Sequence, residues 1–220
     1  IGAYSEQQFD LLEQGAKYPE IWAPYYTLHK ILAGLLDCYT YAGNETALQI
    51  ALKSGKWVYR RLARLTPEHR ASMWNMYIAG EDGGTGESLS RLSEMVKDNK
   101  EKARLLEAAS FFDSPAFYEP LSKNIDDIRT RHANQHIPKI TSALRSYRGN
   151  GNPYYYNLAF NFWQMIQGRY AYSTGGVGNG EMFRQPYTQI LSMNTNVTTN
   201  RNGQLCPNPT LNETCSAYNL

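Results

Sequence analysis

Hydrophobic residues recur along most of the chain at the spacing of one face of an α-helix. In the first clear case, apolar side chains fall at i, i+3, i+4, i+7 and i+8, at Leu28, Ile31, Leu32, Leu35 and Leu36. Similar helical spacing marks segments 48–62, 89–96, 103–110, 137–147 and 155–166. No convincing strand alternation appears in the sequence. The pattern therefore predicts an all-α fold built on six helices.

The six predicted helices form three pairs, and a short polar turn joins the two helices of each pair. The turns are Gly43-Asn44, Asp98-Asn99 and Gly151-Asn152, which lie 55 and 53 residues apart. This spacing indicates a repeated helical hairpin of about 54 residues, although chance similarity among amphipathic helices is an alternative. Repeated helical hairpins either stack into an open solenoid or close into a toroid.

The helical spacing ends after Tyr170. Residues 173–209 are rich in Gly, Asn, Thr and Gln without clear periodicity, and a long segment of this kind is usually functional or disordered. An apolar pattern begins again at Ala217–Leu220. We therefore expect residues 1–220 to be part of one helical domain, with a loop-rich segment at 173–209 and a continuation beyond residue 220.

The composition is that of an ordinary globular protein, with 42% hydrophobic and 19% charged residues. The formal net charge of +2 gives no reason to expect nucleic acid as a partner. No apolar run approaches the roughly 20 residues that a membrane span needs. The 17 Tyr and 4 Trp residues are many for this length, and flat rings with a polar edge suit the faces of sugars.

Three Asn-x-Ser/Thr sequons favour a secreted glycoprotein. They begin at Asn44, Asn196 and Asn212, and we expect glycans at Asn44 and Asn196, whose surroundings are typical of a turn and a polar loop. A secreted protein of this kind would be extracellular.

Cysteine gives a mixed signal, because the three residues cannot all pair within the chain. Cys38 falls on an apolar helical pattern, which predicts a buried thiol. Cys206 and Cys215 are close in sequence, and they could form a disulfide, or one of them could bind a metal.

Four segments carry a more specific signal. They are, in chain order, Ile21–Asp37, His132–Lys139, Ser173–Gly176 with Gly180–Phe183 close behind, and Glu213–Leu220. In kind and order they resemble the β-L-arabinofuranosidase group of glycoside hydrolases, families 127 and 146, over nearly the whole chain. The resemblance implies a catalytic domain that is part of an (α/α)6 barrel, which agrees with the repeated hairpin.

The resemblance also implies an activity and a set of site residues. It implies a retaining hydrolase of β-linked L-arabinofuranosyl or related sugars on glycans or glycoproteins, with a cysteine nucleophile held by zinc. Zinc accepts carboxylate and thiolate ligands and keeps a bound thiol deprotonated. The matching positions are Glu181 as general acid/base, Glu213 and Cys215 as zinc ligands, His29 and His136 as sugar contacts, and Glu87 in a Gly-Gly-x-x-Glu run.

The sequence departs from the family pattern at the nucleophile, because it contains no adjacent pair of Cys residues. A companion chain could complete the barrel and supply that pair. A second hypothesis is a non-catalytic carbohydrate-binding or scaffold protein that keeps the barrel fold.

Several residues also have simpler interpretations. His29 could be a buried core histidine, and Glu87 could stabilise a helix start rather than reach the sugar. His132 and His136 lie one helical turn apart near a helix start, and we expect a structural role for His132 and a pocket role for His136.

Overall fold

The computed structural model describes residues 2, 4–172, 175–178, 181–187, 197–199, 205–207 and 214–220, with the backbone alone for the two strands. Within these residues the fold is helical. The α-helices are α1 (Glu6–Glu13), α2 (Pro24–Ala42), α3 (Glu45–Leu62), α4 (Pro67–Trp74), α5 (Thr85–Glu94), α6 (Asn99–Ser110), α7 (Pro115–Ser122), α8 (Ala133–Asn150), α9 (Pro153–Met165) and α10 (Thr214–Asn219). A π-helical turn, Ile166–Tyr170, extends α9.

Three antiparallel helical hairpins dominate the architecture, as the repeat predicts. They are the pairs α2 and α3, α5 and α6, and α8 and α9. Helix α5 packs against both α2 and α8, which makes these three helices the inner layer. Helix α3 packs against α6 in the outer layer, and α7 lies against α9. The hairpins therefore follow one another in an arc with two layers.

The hairpin turns owe their similarity to capping residues. The side chains of Asn44, Asp98 and Asn152 each accept a hydrogen bond from a backbone N–H at the start of the following helix, at 2.7–3.0 Å. Gly43 and Gly151 end the preceding helices with φ of 63° and 68°. This left-handed conformation is favourable for glycine and costly for residues with a Cβ. The repeat seen in the sequence is thus a repeat of capping chemistry.

Two apolar clusters form the core. One lies among α1–α6 and includes the buried rings of Tyr25, Trp74 and Phe112. The other lies among α7–α9 and the segment after them, where Phe162 packs edge-on against Phe183. The second cluster fixes the Glu181–Phe183 segment to the helices, because Phe183 is fully buried there.

One expectation from the sequence is wrong in detail. Cys38 is exposed, because the buried face of α2 runs through Pro24, Tyr25, Leu32 and Leu36 and Cys38 lies outside it. Within the segment expected to be loop-rich, Val197–Thr199 (β1) pairs antiparallel with Leu205–Pro207 (β2). β-Branched residues in β1 favour that extended pairing over a loop.

The continuation of the domain beyond residue 220 stays a prediction. Among the described residues, no helix is both long and apolar enough to cross a membrane.

Candidate functional site

A cavity of about 200 Å³ lies at the N-terminal ends of the inner helices α2 and α8, beside the loop that precedes α5. Its wall combines aromatic rings with carboxyl, imidazole and amide groups. The lining residues are Tyr4, Trp22, Ala23, Tyr26, Thr27, Ile78, Glu81, His132, Asn134 and Glu181. Trp22 is 57% exposed, so its ring forms part of the rim. Flat rings around a few polar groups are well suited to a sugar.

Glu181 reaches the cavity because its backbone pairs with the residues that precede α8. The Ala133 N–H donates to the Glu181 carbonyl at 2.7 Å, and the Phe183 N–H donates to the Arg131 carbonyl at 3.0 Å. Glu181 itself has φ of 65°, a conformation that is uncommon for a residue with a side chain. The pairing and the burial of Phe183 together hold this uncommon conformation.

His132 faces the Glu181 carboxylate. Its Nε2 lies 3.6 Å from Glu181 Oε2, while its Nδ1 accepts a hydrogen bond from the Gln135 N–H at 3.1 Å as the N-cap of α8. Because Nδ1 is the acceptor, the neutral ring carries its proton on Nε2, toward the carboxylate. His132 therefore has the structural role expected from the sequence and also forms part of the cavity wall.

Tyr77 borders the same carboxylate. Its ring meets the His132 ring edge-on at 5.5 Å. Burial, followed by the nearby Glu181 carboxylate, raises the pKa of the Tyr77 hydroxyl. The Glu181 carboxylate is therefore flanked by two groups that can donate hydrogen bonds.

A second carboxyl group, that of Glu81, was not anticipated from the sequence. Burial raises the pKa of Glu81 to about 7, with a further contribution from the adjacent Asp82. Asn134 Nδ2 donates to Glu81 Oε1 at 2.6 Å. Glu81 lies between Gly80 and Asp82 in a mostly buried stretch. The sequence feature that could have indicated it is a pair of acidic residues flanked by glycines.

His136 lies beside the cavity, in a neighbouring depression of about 340 Å³ that His132 also lines. Its Nδ1–H donates to the His132 carbonyl at 2.9 Å, and its ring packs edge-on against Phe117. Burial lowers the pKa of His136 to about 3, so the ring is neutral near pH 7. A sugar contact by His136 stays a prediction.

His29 lies on α2, half-buried against Gly83 and Gly84 at the start of α5. A Cβ at Gly83, whose φ is 59°, would lie 2.6 Å from Tyr26 Cδ2 and 3.1 Å from His29 Nδ1, so glycine is needed for this close approach. Burial lowers the pKa of His29 to about 3. Its Nδ1 has no hydrogen-bond partner among the described residues, and its sugar contact stays a prediction.

Glu87 lies away from the cavity lining formed by the described residues. Its carboxylate is 3.8 Å from Arg145 Nε on α8, and its N–H donates to Ser142 Oγ at 3.2 Å. It is also the acidic residue in the first turn of α5, where it interacts favourably with the helix dipole. These contacts agree with the helix-start interpretation, and substrate binding by Glu87 stays a prediction.

The predicted zinc ligands are only partly described, because Glu213 and the side chain of Cys206 lie outside the described residues. Cys215 lies on α10, which packs against α8 through a 2.6 Å hydrogen bond from Asn219 Nδ2 to Asn134 Oδ1. The described part of the chain contains no group of three or more His, Cys, Asp or Glu side chains that could hold a metal ion. Zinc binding and the disulfide alternative thus both stay untested.

Of the two predicted glycan sites, the structure describes one. Asn196 lies outside the described residues. Asn44 is exposed at the N-terminus of α3, where its Oδ1 accepts the capping hydrogen bond.

Comparison with known protein families gives a match over residues 1–220, to the GH127 catalytic domain of β-L-arabinofuranosidase. The chain belongs to this family. The resemblance carried by the four motifs is therefore confirmed, as is the helical fold that it implies. A search of curated proteins finds no match. As a member of this family the chain is a glycoside hydrolase, and its substrate is a carbohydrate.

Proposed function

We propose that this glycoside hydrolase removes β-linked L-arabinofuranosyl groups, or closely related sugars, from glycans or glycoproteins with retention of configuration. The proposal assigns Glu181 as the general acid/base. The observation that carries it is the position of Glu181 at the cavity wall, held by backbone pairing and flanked by His132 and Tyr77. A carboxyl group fixed at the edge of a sugar-sized cavity is what acid/base catalysis requires.

Glu181 would act twice in a retaining reaction. Its carboxylic acid first protonates the oxygen of the departing group, and its carboxylate then takes a proton from the attacking water. The Nε2–H of His132 and the Tyr77 hydroxyl lie beside this carboxyl group as hydrogen-bond donors that can orient it. The rings of Trp22 and Tyr26 would bind the sugar face and help to exclude water.

The nucleophile and its metal are a further part of the proposal. Cys215 and Glu213 would hold zinc, which when bound supplies a positive charge that keeps a thiol deprotonated. Structural zinc sites use about four ligands, and these residues supply two. We therefore expect zinc to bind together with a companion polypeptide that provides an adjacent Cys pair, and metal analysis of the two together tests this.

The test of Glu181 compares two leaving groups. Nitrophenolate leaves readily without protonation, whereas a sugar alkoxide needs an acid. For Glu181→Gln we expect kcat/KM to fall about 10²- to 10⁴-fold on a β-linked L-arabinofuranose disaccharide. The fall should be much smaller on 4-nitrophenyl β-L-arabinofuranoside.

Glu45→Gln, at an exposed position on α3, is the matched control and should match the wild type. Equal losses on both substrates would show that Glu181 is not the acid. A wild-type protein that binds L-arabinose but cleaves neither compound, even with zinc and the companion polypeptide present, would instead favour a non-catalytic carbohydrate-binding protein.

We also propose that the protein is secreted and carries N-glycans at Asn44 and Asn196. The exposure of Asn44 supports this proposal. Mass spectrometry of protein from a eukaryotic source tests it, and unmodified asparagine at both positions would contradict it.

A further inference from the structure

Glu81 lies in a loop whose backbone is fixed by the neighbouring helix. Residues 78–86, between α4 and the first turn of α5, are all buried. Gln135 on α8 accepts from the Ile78 N–H at 3.3 Å and donates to the carbonyls of Trp74 and Met76 at 3.2 and 3.1 Å. These bonds satisfy polar backbone groups that burial would otherwise leave without partners. The loop is therefore a rigid support for the side chain that it presents.

The carboxyl group of Glu81 has an incomplete set of partners. The next residue, Asp82, forms a buried ion pair with Lys139, whose Nζ lies 2.7 Å from Asp82 Oδ1. The one hydrogen bond to the Glu81 carboxyl group from the described residues comes from Asn134. A carboxylate offers about four acceptor positions. Glu81 and Glu181 line the same cavity.

The Asn134 amide is itself oriented by the last described helix. Asn219 Nδ2 donates to Asn134 Oδ1, which leaves Asn134 Nδ2 to donate to Glu81, and both distances are 2.6 Å. These two hydrogen bonds fix the orientation of the Asn134 amide, which donates to Oε1 of Glu81. The other carboxyl oxygen of Glu81 is left for a donor from the cavity, and adjacent hydroxyl groups of a sugar are donors of the required kind.

From this geometry we propose that Glu81 is a sugar-contacting, specificity-determining residue that accepts hydrogen bonds from ring hydroxyl groups in the cavity. The inference rests on the proposed function, because it takes an L-arabinofuranosyl group as the occupant. It assigns Glu81 a different role from Glu181, namely binding of the sugar rather than proton transfer to the departing oxygen.

Two measurements on Glu81→Gln test the proposal. The amide can keep the bond from Asn134 but loses acceptor capacity toward the sugar. We expect KM for 4-nitrophenyl β-L-arabinofuranoside and Kd for L-arabinose to rise about ten-fold or more, with kcat within about three-fold of wild type. Glu45→Gln should leave all three constants unchanged. Circular dichroism checks that the variant is folded.

The outcomes separate this inference from the proposed function. Unchanged KM and Kd in folded Glu81→Gln would overturn the inference, and so would a loss confined to kcat, which would indicate proton transfer. Failure of the wild type to bind L-arabinose would overturn it as well. Hydrolysis absent from the wild type even with zinc and the companion polypeptide present, together with weaker L-arabinose binding by Glu81→Gln, would support the inference and reject the proposed function.

If Glu81→Gln does not fold, Asn219→Ala is the second variant. It releases the Asn134 amide without altering the buried loop, and Asn219 itself is only partly buried. We then expect a rise of about three-fold in Kd for L-arabinose. An unchanged Kd in that variant would overturn the inference.

Discussion

At the scale of single residues, the two carboxyl groups of the cavity differ in their surroundings. Glu181 lies on the segment that pairs with the start of α8, and its side chain is 39% exposed. Glu81 is only 6% exposed and has another carboxylate, Asp82, beside it. Different environments for two acidic groups in one site are a common way of giving them different tasks.

The burial of Glu81 predicts a pH-dependent stability. Its pKa is about 7 in the folded protein and close to the ordinary value of 4.5 when unfolded. Between pH 4.5 and 7 the unfolded chain therefore loses this proton first, so the free energy of unfolding falls as the pH rises. In Glu81→Gln the decrease over this range should be smaller by about 2 kcal/mol.

Urea unfolding at several pH values measures this difference. Other buried groups contribute to the total slope, among them His29 and His136, whose lowered pKa values favour folding as the pH rises from about 3 to 6.5. Their contribution is common to both proteins and cancels in the comparison. A slope for Glu81→Gln equal to that of wild type would contradict the assigned burial.

At the scale of the helices, Asn44 has two separable tasks. Its side chain caps α3, and its sequon is a proposed glycan site. Asn44→Ala should lower the free energy of unfolding by about 1 kcal/mol, whereas Asn44→Asp should be nearly neutral because aspartate is an equally good cap. Both changes remove the sequon.

Thr46→Ala is the control, since it removes the sequon and keeps the cap. Denaturant titration of protein made without glycosylation gives the free energy of unfolding of each variant, and so measures the contribution of the cap alone. Equal free energies of unfolding for Asn44→Ala and Asn44→Asp would show that the capping hydrogen bond does not stabilise the fold.

The packing of the hairpins makes a prediction about two helical glycines. A Cβ at Gly55 on α3 would lie 2.7 Å from Leu105 Cδ2 and 3.0 Å from Leu92 Cδ2, both buried side chains. A Cβ at Gly34 on α2 would have no neighbour within 4 Å among the described residues. Gly55→Ala should destabilise the fold by about 1 kcal/mol through overpacking.

Gly34→Ala should stabilise the fold by about 0.5–1 kcal/mol, because alanine is the better helix former and nothing opposes it. Midpoints of urea unfolding for the two variants give the comparison. A stabilising Gly55→Ala would mean that the contact of α3 with α5 and α6 is looser than the structure indicates.

At the scale of the whole molecule, the sequence predicts what depends on neighbouring residues. The three hairpins follow from apolar spacing and from the caps at Asn44, Asp98 and Asn152, which act within one helical turn. Cys38 shows the limit of this reasoning, because an apolar pattern does not say which side of a helix meets its neighbours. The strands β1 and β2 lie in a segment whose composition is typical of loop.

The site itself was only partly predictable for the same reason. Glu181, His29 and His136 were found through family motifs. Glu81 was missed because its place in the cavity depends on Asn134 and Gln135 of α8, more than fifty residues later in the chain. Sequence spacing carries no information about such a contact. The cavity therefore becomes visible only when α2, α5 and α8 are assembled.

The most direct test of this account is a crystal structure of the protein soaked with L-arabinose. We expect the sugar in the cavity between Tyr26, Glu81 and Glu181, with a hydroxyl group within hydrogen-bond distance of Glu81 and the anomeric oxygen toward Glu181. A sugar bound instead in the separate cleft of about 250 Å³ beside Trp57, with the cavity empty, would contradict the account.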